Sequence, residues 1–143
     1  IVTATVLGFE PVAFEAGKTL TSQIADGVEV EGDGDKLRRL AGVLLDNAVK
    51  YADEGTTVEV KLEKADRRAR LTVINRCAPI PPEQLRRLFE RFYRADASRG
   101  EKSGFGLGLP IAASIVEEHK GTIKAESDDL STRFIVTLPL KKA

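Results

Sequence analysis

Leu37, Leu40, Ala41, Leu44, Ala48 and Tyr51 recur at three- and four-residue intervals, which predicts an amphipathic helix over Asp35 to Ala52 with Asp35 as its N-cap. The period then changes to two. Thr57 to Lys64 and Ala69 to Asn75 alternate, with Val58, Val60 and Leu62 on one face, and the charged Ala65 to Arg68 stretch reads as the turn of an antiparallel hairpin. Upstream, Ile1 to Ala16 predicts a short helix interrupted at Pro11 and stopped by Gly17. Lys18 to Ile24 and Val28 to Glu31 read as two short strands around an Ala25-Asp26-Gly27 turn.

Downstream, Pro79, Pro81 and Pro82 open a short helix in which Leu85, Leu88, Phe89 and Phe92 share a side. Arg94 to Ser103 has no apolar period and reads as a mobile surface loop. A second long helix is expected from about Gly108 to His119, with Pro110 in its first turn and Gly121 as its stop. Thr122 to Glu126 and Thr132 to Leu140 complete the strands. This order predicts one domain over residues 1–143, an α/β two-layer sandwich. Its mixed, mostly antiparallel sheet has five or six strands, covered on one face by about three helices.

Composition narrows the classes of partner. At 143 residues, 42% hydrophobic and 31% charged, the chain is long enough to bury roughly two-thirds of its unfolded surface. Lysine plus arginine number 22 and aspartate plus glutamate 22, so no global field gathers nucleic acid or an acidic membrane, and an anionic ligand must be held locally. Cys77, the only cysteine, fits a reducing compartment. No apolar run reaches the roughly 18 residues of a membrane span. With no methionine and Ile1 first, the chain is expected to be a piece of a longer polypeptide.

Three segments carry candidate chemistry. On the Asp35 to Ala52 helix, Val43, Asn47 and Lys50 form a stripe beside the apolar face. An Asn carbonyl oxygen is a hard, neutral ligand suited to Mg²⁺; a Lys one turn on neutralises phosphate oxygens, and Tyr51 offers a flat face to a base. The plainer alternative is a helix whose polar side faces water. In Gly104 to Leu109 (GFGLGL), glycines alternate just before a helix, where backbone N–H groups approach phosphates and the helix N-terminus favours negative charge. The spacing is neither a dinucleotide fingerprint nor a Walker loop. A flexible loop entering a helix is the competing reading. Arg94 and Arg99 flank that loop within reach of a terminal phosphate. His119 is read as structural, through the C-terminus of its helix, and Cys77 as packing.

These motifs resemble the ATP-binding catalytic domain of bacterial sensor histidine kinases, within the wider group that includes gyrase B, mismatch-repair ATPases and a heat-shock chaperone. LLDNAVKY (Leu44 to Tyr51) is similar to that family's N box. PIPPEQLRRLFERFYRAD is similar to the end of its first glycine box and its F box, and GFGLGLPIAASIVEEHKGTI to its second glycine box and following helix. TRFIVTLP resembles the closing strand. The resemblance implies ATP and Mg²⁺ as ligands. Asn47 would hold the metal, Lys50 the phosphates and Tyr51 the border of adenine or ribose. Asn75 would stand where the family usually has an Asp accepting from the adenine amino group, and Ile80 would line the adenine pocket. Arg94 to Ser103 would be the ATP lid, with Arg94 and Arg99 approaching the γ-phosphate and Gly104, Gly106 and Gly108 as its phosphate-facing hinge, and Phe105, Leu107 and Leu109 of the same run would belong to the nucleotide-binding site.

Two departures from the family pattern matter. Asn75-Arg76-Cys77-Ala78-Pro79 replaces both glycines of the first glycine box, and Val43 stands where kinases often have a second Asn and hydrolytic relatives a Glu. The expectation is the ATP-binding catalytic domain of a cytoplasmic kinase portion, donating the γ-phosphoryl group to a histidine on a separate dimerisation domain. A response regulator would act downstream, with no nucleic acid and no direct membrane contact; the isolated domain would be a monomer and the parent a homodimer. The alternatives are a degenerate regulatory module of the same fold and, with Val43 against it, a hydrolytic ATPase.

Overall fold

In the computed structural model, which describes residues 2–25, 27–76, 105–128 and 131–140, the chain runs α1 (Val2–Glu15), β1 (Thr19–Ile24), α2 (Gly34–Tyr51), β2 (Thr57–Ala65), β3 (Arg68–Arg76), α3 (Phe105–Glu118), β4 (Thr122–Ser127) and β5 (Ser131–Pro139). The strands form one sheet in the order β1-β2-β3-β5-β4. β1 pairs parallel with β2 across the α2 crossover, and the other pairs are antiparallel. The expected two-layer α/β sandwich is present, with five strands among the described residues.

Strict alternation builds the inner face. Val58 and Val60 on β2, Ala69, Leu71 and Val73 on β3, and Phe134, Val136 and Leu138 on β5 are all buried. They meet Leu40, Leu44, Leu45, Ala48 and Val49 of α2 and Leu109, Ala112, Ile115 and Val116 of α3. α2 is flanked by α1 and α3, so its buried surface extends beyond the predicted stripe to Leu45 and Val49. Phe134, 1% exposed, is the largest side chain of this core, and truncating such a residue costs about 3–5 kcal/mol.

Several boundaries differ from the expectation. Val28 to Glu31 is not a strand; Val28 and Val30 are half-buried, with Val30 packed against the core, but the segment pairs with no neighbour. The N-cap of α2 is Asp33 rather than Asp35. Its extended backbone lets its carboxylate accept from Asp35 N at 2.9 Å and Lys36 N at 3.2 Å, while Asp35 serves as the acidic residue of the first turn. The β2–β3 hairpin closes through Asp66 and Arg67, both at positive φ (51° and 64°), the backbone of a type I′ turn whose twist suits the strands.

α3 begins at Phe105, three residues before the predicted start, so Pro110 is its sixth residue and not in its first turn. Its end also differs. Lys120 (φ 61°), not Gly121, takes the left-handed conformation, and Gly121 N–H donates to Val116 O at 3.0 Å, closing the helix as a Schellman-type stop. Gly121 is small because a Cβ there would lie 2.3 Å from the Thr137 carbonyl oxygen. The short helix expected after Pro82 lies outside the described residues.

Candidate functional site

The mutual direction of α2 and α3 positions the site. At the start of α2, Asp33 N–H donates to His119 Nε2 at 3.1 Å and Lys36 Nζ to Glu118 Oε2 at 2.7 Å, and both acceptors lie at the end of α3. That hydrogen bond raises the Lys36 ammonium above the ordinary lysine value. The two helices pack on each other and therefore run antiparallel. Eleven residues along α2 from Lys36 to Asn47 is about 16 Å, and ten back along α3 from Glu118 to Gly108 about 15 Å. Asn47 and the GFGLGL start of α3 thus lie at the same end of the helix layer.

That end also receives the end of β3. Asp53 N–H, just past α2, donates to Arg76 O at 2.7 Å. Lys18, ahead of β1, donates its ammonium to the Val49 and Lys50 carbonyls, closing the C-terminus of α2 with a cation. Asn75 and Thr132, directly opposed across β3 and β5, are the last inward-facing residues here, 2% and 1% exposed.

Two amides stand out in this region. Asn47, 2% exposed, donates from Nδ2 to Val43 O one turn earlier at 3.0 Å. Its buried Oδ1 has no hydrogen-bond partner, and neither does Nδ2 of Asn75, among the described residues. Leaving such a group unpaired costs about 1–3 kcal/mol, so both are candidate positions for a ligand contact. Orientation at Asn47 is fixed, because turning the amide over would aim its oxygen at the Val43 carbonyl. A hard, neutral oxygen presented this way fits Mg²⁺, which takes few protein ligands and completes its shell with phosphates and water. No cluster of three or more His, Cys, Asp or Glu able to hold a metal occurs among the described residues.

Lys50 pairs with Asp46 at 3.0 Å, both side chains about half exposed. An exposed i,i+4 pair is worth about 0.3–0.5 kcal/mol, so the pair holds the ammonium only weakly. Starting α3 at Phe105 makes residues 105–108 its first turn, whose backbone N–H groups have no carbonyl one turn earlier in the helix to bond. Pro110 adds no N–H to bond the Gly106 carbonyl. Leu109 is fully buried in the core, so its side chain anchors this turn. The side chains of Tyr51, Phe105, Gly106, Leu107 and Gly108, together with Ile80, Arg94, Arg99, Gly104 and the whole 94–103 segment, lie outside the described residues.

His119 has a larger structural part than a helix-end cation. Its Nδ1–H donates to Ile115 O at 2.8 Å while Nε2 accepts from Asp33, so both ring nitrogens are engaged. Thr132 was not singled out from sequence. The signal was available: a hydroxyl in line with Phe134, Val136 and Leu138 on the inner face of β5.

Comparison with known proteins agrees with this arrangement. Residues 32–142 match the family described as histidine kinase-, DNA gyrase B-, and HSP90-like ATPase. Sensor histidine kinase CusS of Escherichia coli K12 is 45% identical over 132 residues, which cover 92% of this chain and 27% of CusS. Sensor protein DltS of Streptococcus agalactiae is 37% identical, over 94% of this chain and 34% of its own. The chain thus spans about a third or less of these relatives. The nucleotide-free catalytic domain of histidine kinase ThkA superposes with a TM-score of 0.86 at 23% identity, covering 96% of this chain and 89% of that one, a likeness of fold. ThkA has also been solved in complex with the response regulator TrrA. By sequence and by fold, the chain belongs to the histidine kinase-, DNA gyrase B- and HSP90-like ATPase family.

Proposed function

We propose that the chain is the ATP-binding catalytic domain of a two-component sensor histidine kinase. The observation that carries the proposal is the pair of buried amides at one end of the fold, each with a polar atom lacking a partner among the described residues. In this reading Asn47 Oδ1 would hold a Mg²⁺ brought in with the nucleotide, and the metal would supply charge neutralisation for the phosphates. Lys50 leaves Asp46 for the phosphates. The free N–H groups at the start of α3 cradle them, with Gly104, Gly106 and Gly108 allowing close approach. Asn75 reads the base, Ile80 and Tyr51 border it, and Arg94 and Arg99 approach the γ-phosphate from the lid.

The reaction follows from this set. The γ-phosphoryl group passes from the β–γ bridging oxygen of ATP to an imidazole nitrogen, ADP leaves, and positioning with charge neutralisation supplies the catalysis. The acceptor is a histidine on a separate helical dimerisation domain. His119 is not that acceptor, since both of its ring nitrogens are bonded within the fold. A hydrolytic cycle has no base at Val43, whose part here is to hold Asn47 through its backbone.

The parent is proposed to be a homodimer with this domain on the cytoplasmic side, passing phosphate to a response regulator. Among the described residues no helix is long and apolar enough to cross a membrane. The test is reconstitution. ATP plus the parent's dimerisation domain should label that domain on histidine, while this chain alone releases no ADP. Steady ADP release by the chain alone contradicts the kinase reading.

A further inference from the structure

Asn75 is the last inward-facing residue of β3, 2% exposed, opposite the equally buried Thr132, and its Nδ2 has no partner among the described residues. A carboxylate at such a position only accepts hydrogen bonds. It therefore selects a base edge that offers a donor, the adenine amino group, and repels guanine O6. A carboxamide carries one acceptor and one donor side by side. The Watson–Crick edge of adenine presents a donor beside an acceptor (N6–H and N1), and that of guanine presents the reverse (O6 and N1–H). Turning the Asn75 amide over exchanges its oxygen and nitrogen, and each orientation matches one purine.

Nothing described fixes that orientation. Asn47 is locked by the Val43 carbonyl, whereas the Nδ2 of Asn75 meets no acceptor that would oppose the turn. Thr132 Oγ1, 3.3 Å from Ser127 Oγ, is a hydroxyl that donates or accepts and tolerates either setting. We infer that Asn75 makes this a purine site of relaxed selectivity, accepting guanosine as well as adenosine triphosphates. The inference rests on the nucleotide-binding reading above and concerns only its base specificity.

The test is calorimetric titration of this chain with MgATP, MgGTP and MgCTP, repeated on Asn75→Asp. The inference expects GTP affinity within tenfold of ATP, CTP weaker than both by more than tenfold, and at least a tenfold widening of the ATP-to-GTP ratio in Asn75→Asp. If circular dichroism shows that variant unfolded, Asn75→Ala replaces it, and ATP and GTP must then weaken alike by fivefold or more. ATP binding with GTP more than tenfold weaker overturns the inference and leaves the ATP-binding reading standing. So does CTP binding within tenfold of ATP, since cytosine repeats adenine's donor–acceptor pair (N4–H and N3) on a smaller ring and the site would then not be one for purines, or a variant that misses its stated change. Absence of binding by all three nucleotides overturns both.

Discussion

Asn47 Nδ2 donates to the Val43 carbonyl oxygen at 3.0 Å, and this one bond turns the amide oxygen away from its own helix into a buried position without a partner among the described residues. The arrangement costs stability in the free protein and, in the proposed function, would supply a metal ligand. Asn47→Ala should therefore lower MgATP affinity by tenfold or more in calorimetry. The thermal midpoint should not fall, because the change removes an unsatisfied acceptor worth about 1–3 kcal/mol. A variant that binds MgATP as tightly as the parent chain removes Asn47 from the metal.

The brace at the opposite end is a stability element. Removing the His119 ring in His119→Ala loses the bonds to Asp33 and Ile115 and should cost about 1–3 kcal/mol in urea unfolding. Gly32→Ala should cost a comparable amount, since its Cβ would fall 2.2 Å from His119 Cδ2. With the ring gone that collision disappears, so the double variant should be less destabilised than the sum by about 1 kcal/mol. Strict additivity contradicts the contact.

The hairpin turn holds Arg67 at φ 64°, a conformation costing a side-chain-bearing residue about 1–2 kcal/mol. Arg67→Gly creates an Asp-Gly type I′ turn and should raise the unfolding free energy by about 0.5–1 kcal/mol. An unchanged or lowered midpoint contradicts that account of the turn.

Adjacent positions after α3 should respond with opposite signs. Lys120→Gly relieves a positive φ (61°) and should stabilise by about 0.5–1 kcal/mol. Gly121→Ala drives a Cβ toward the Thr137 backbone oxygen and should destabilise by about 1–3 kcal/mol. Chemical unfolding of the two variants distinguishes this from a stop set by Gly121.

What was legible in the sequence follows from which forces are local. Strand alternation in Val58-Val60 and Phe134-Val136-Leu138 and the helical period of Leu40, Leu44 and Ala48 are local, and both appear in the core as read. Val28 to Glu31 alternates like a strand, but pairing depends on a partner edge that periodicity does not specify. The end of α3 misled for a related reason: Gly121 is demanded by contact with Thr137, distant in sequence, while the left-handed residue is a lysine. At the site, Asn47 was legible from helical spacing and Asn75 only through the family resemblance. Their shared end of the fold was not, since it depends on α2 and α3 running antiparallel through Asp33–His119 and Lys36–Glu118. Thr132 stayed hidden because one hydroxyl within an apolar alternation reads as an ordinary strand residue.

The most direct measurement is isothermal titration of this chain with ATP in the presence of Mg²⁺ and again in EDTA. The account predicts saturable one-to-one binding that weakens by tenfold or more when the metal is removed. No binding up to millimolar ATP, or binding equally tight in EDTA, contradicts it.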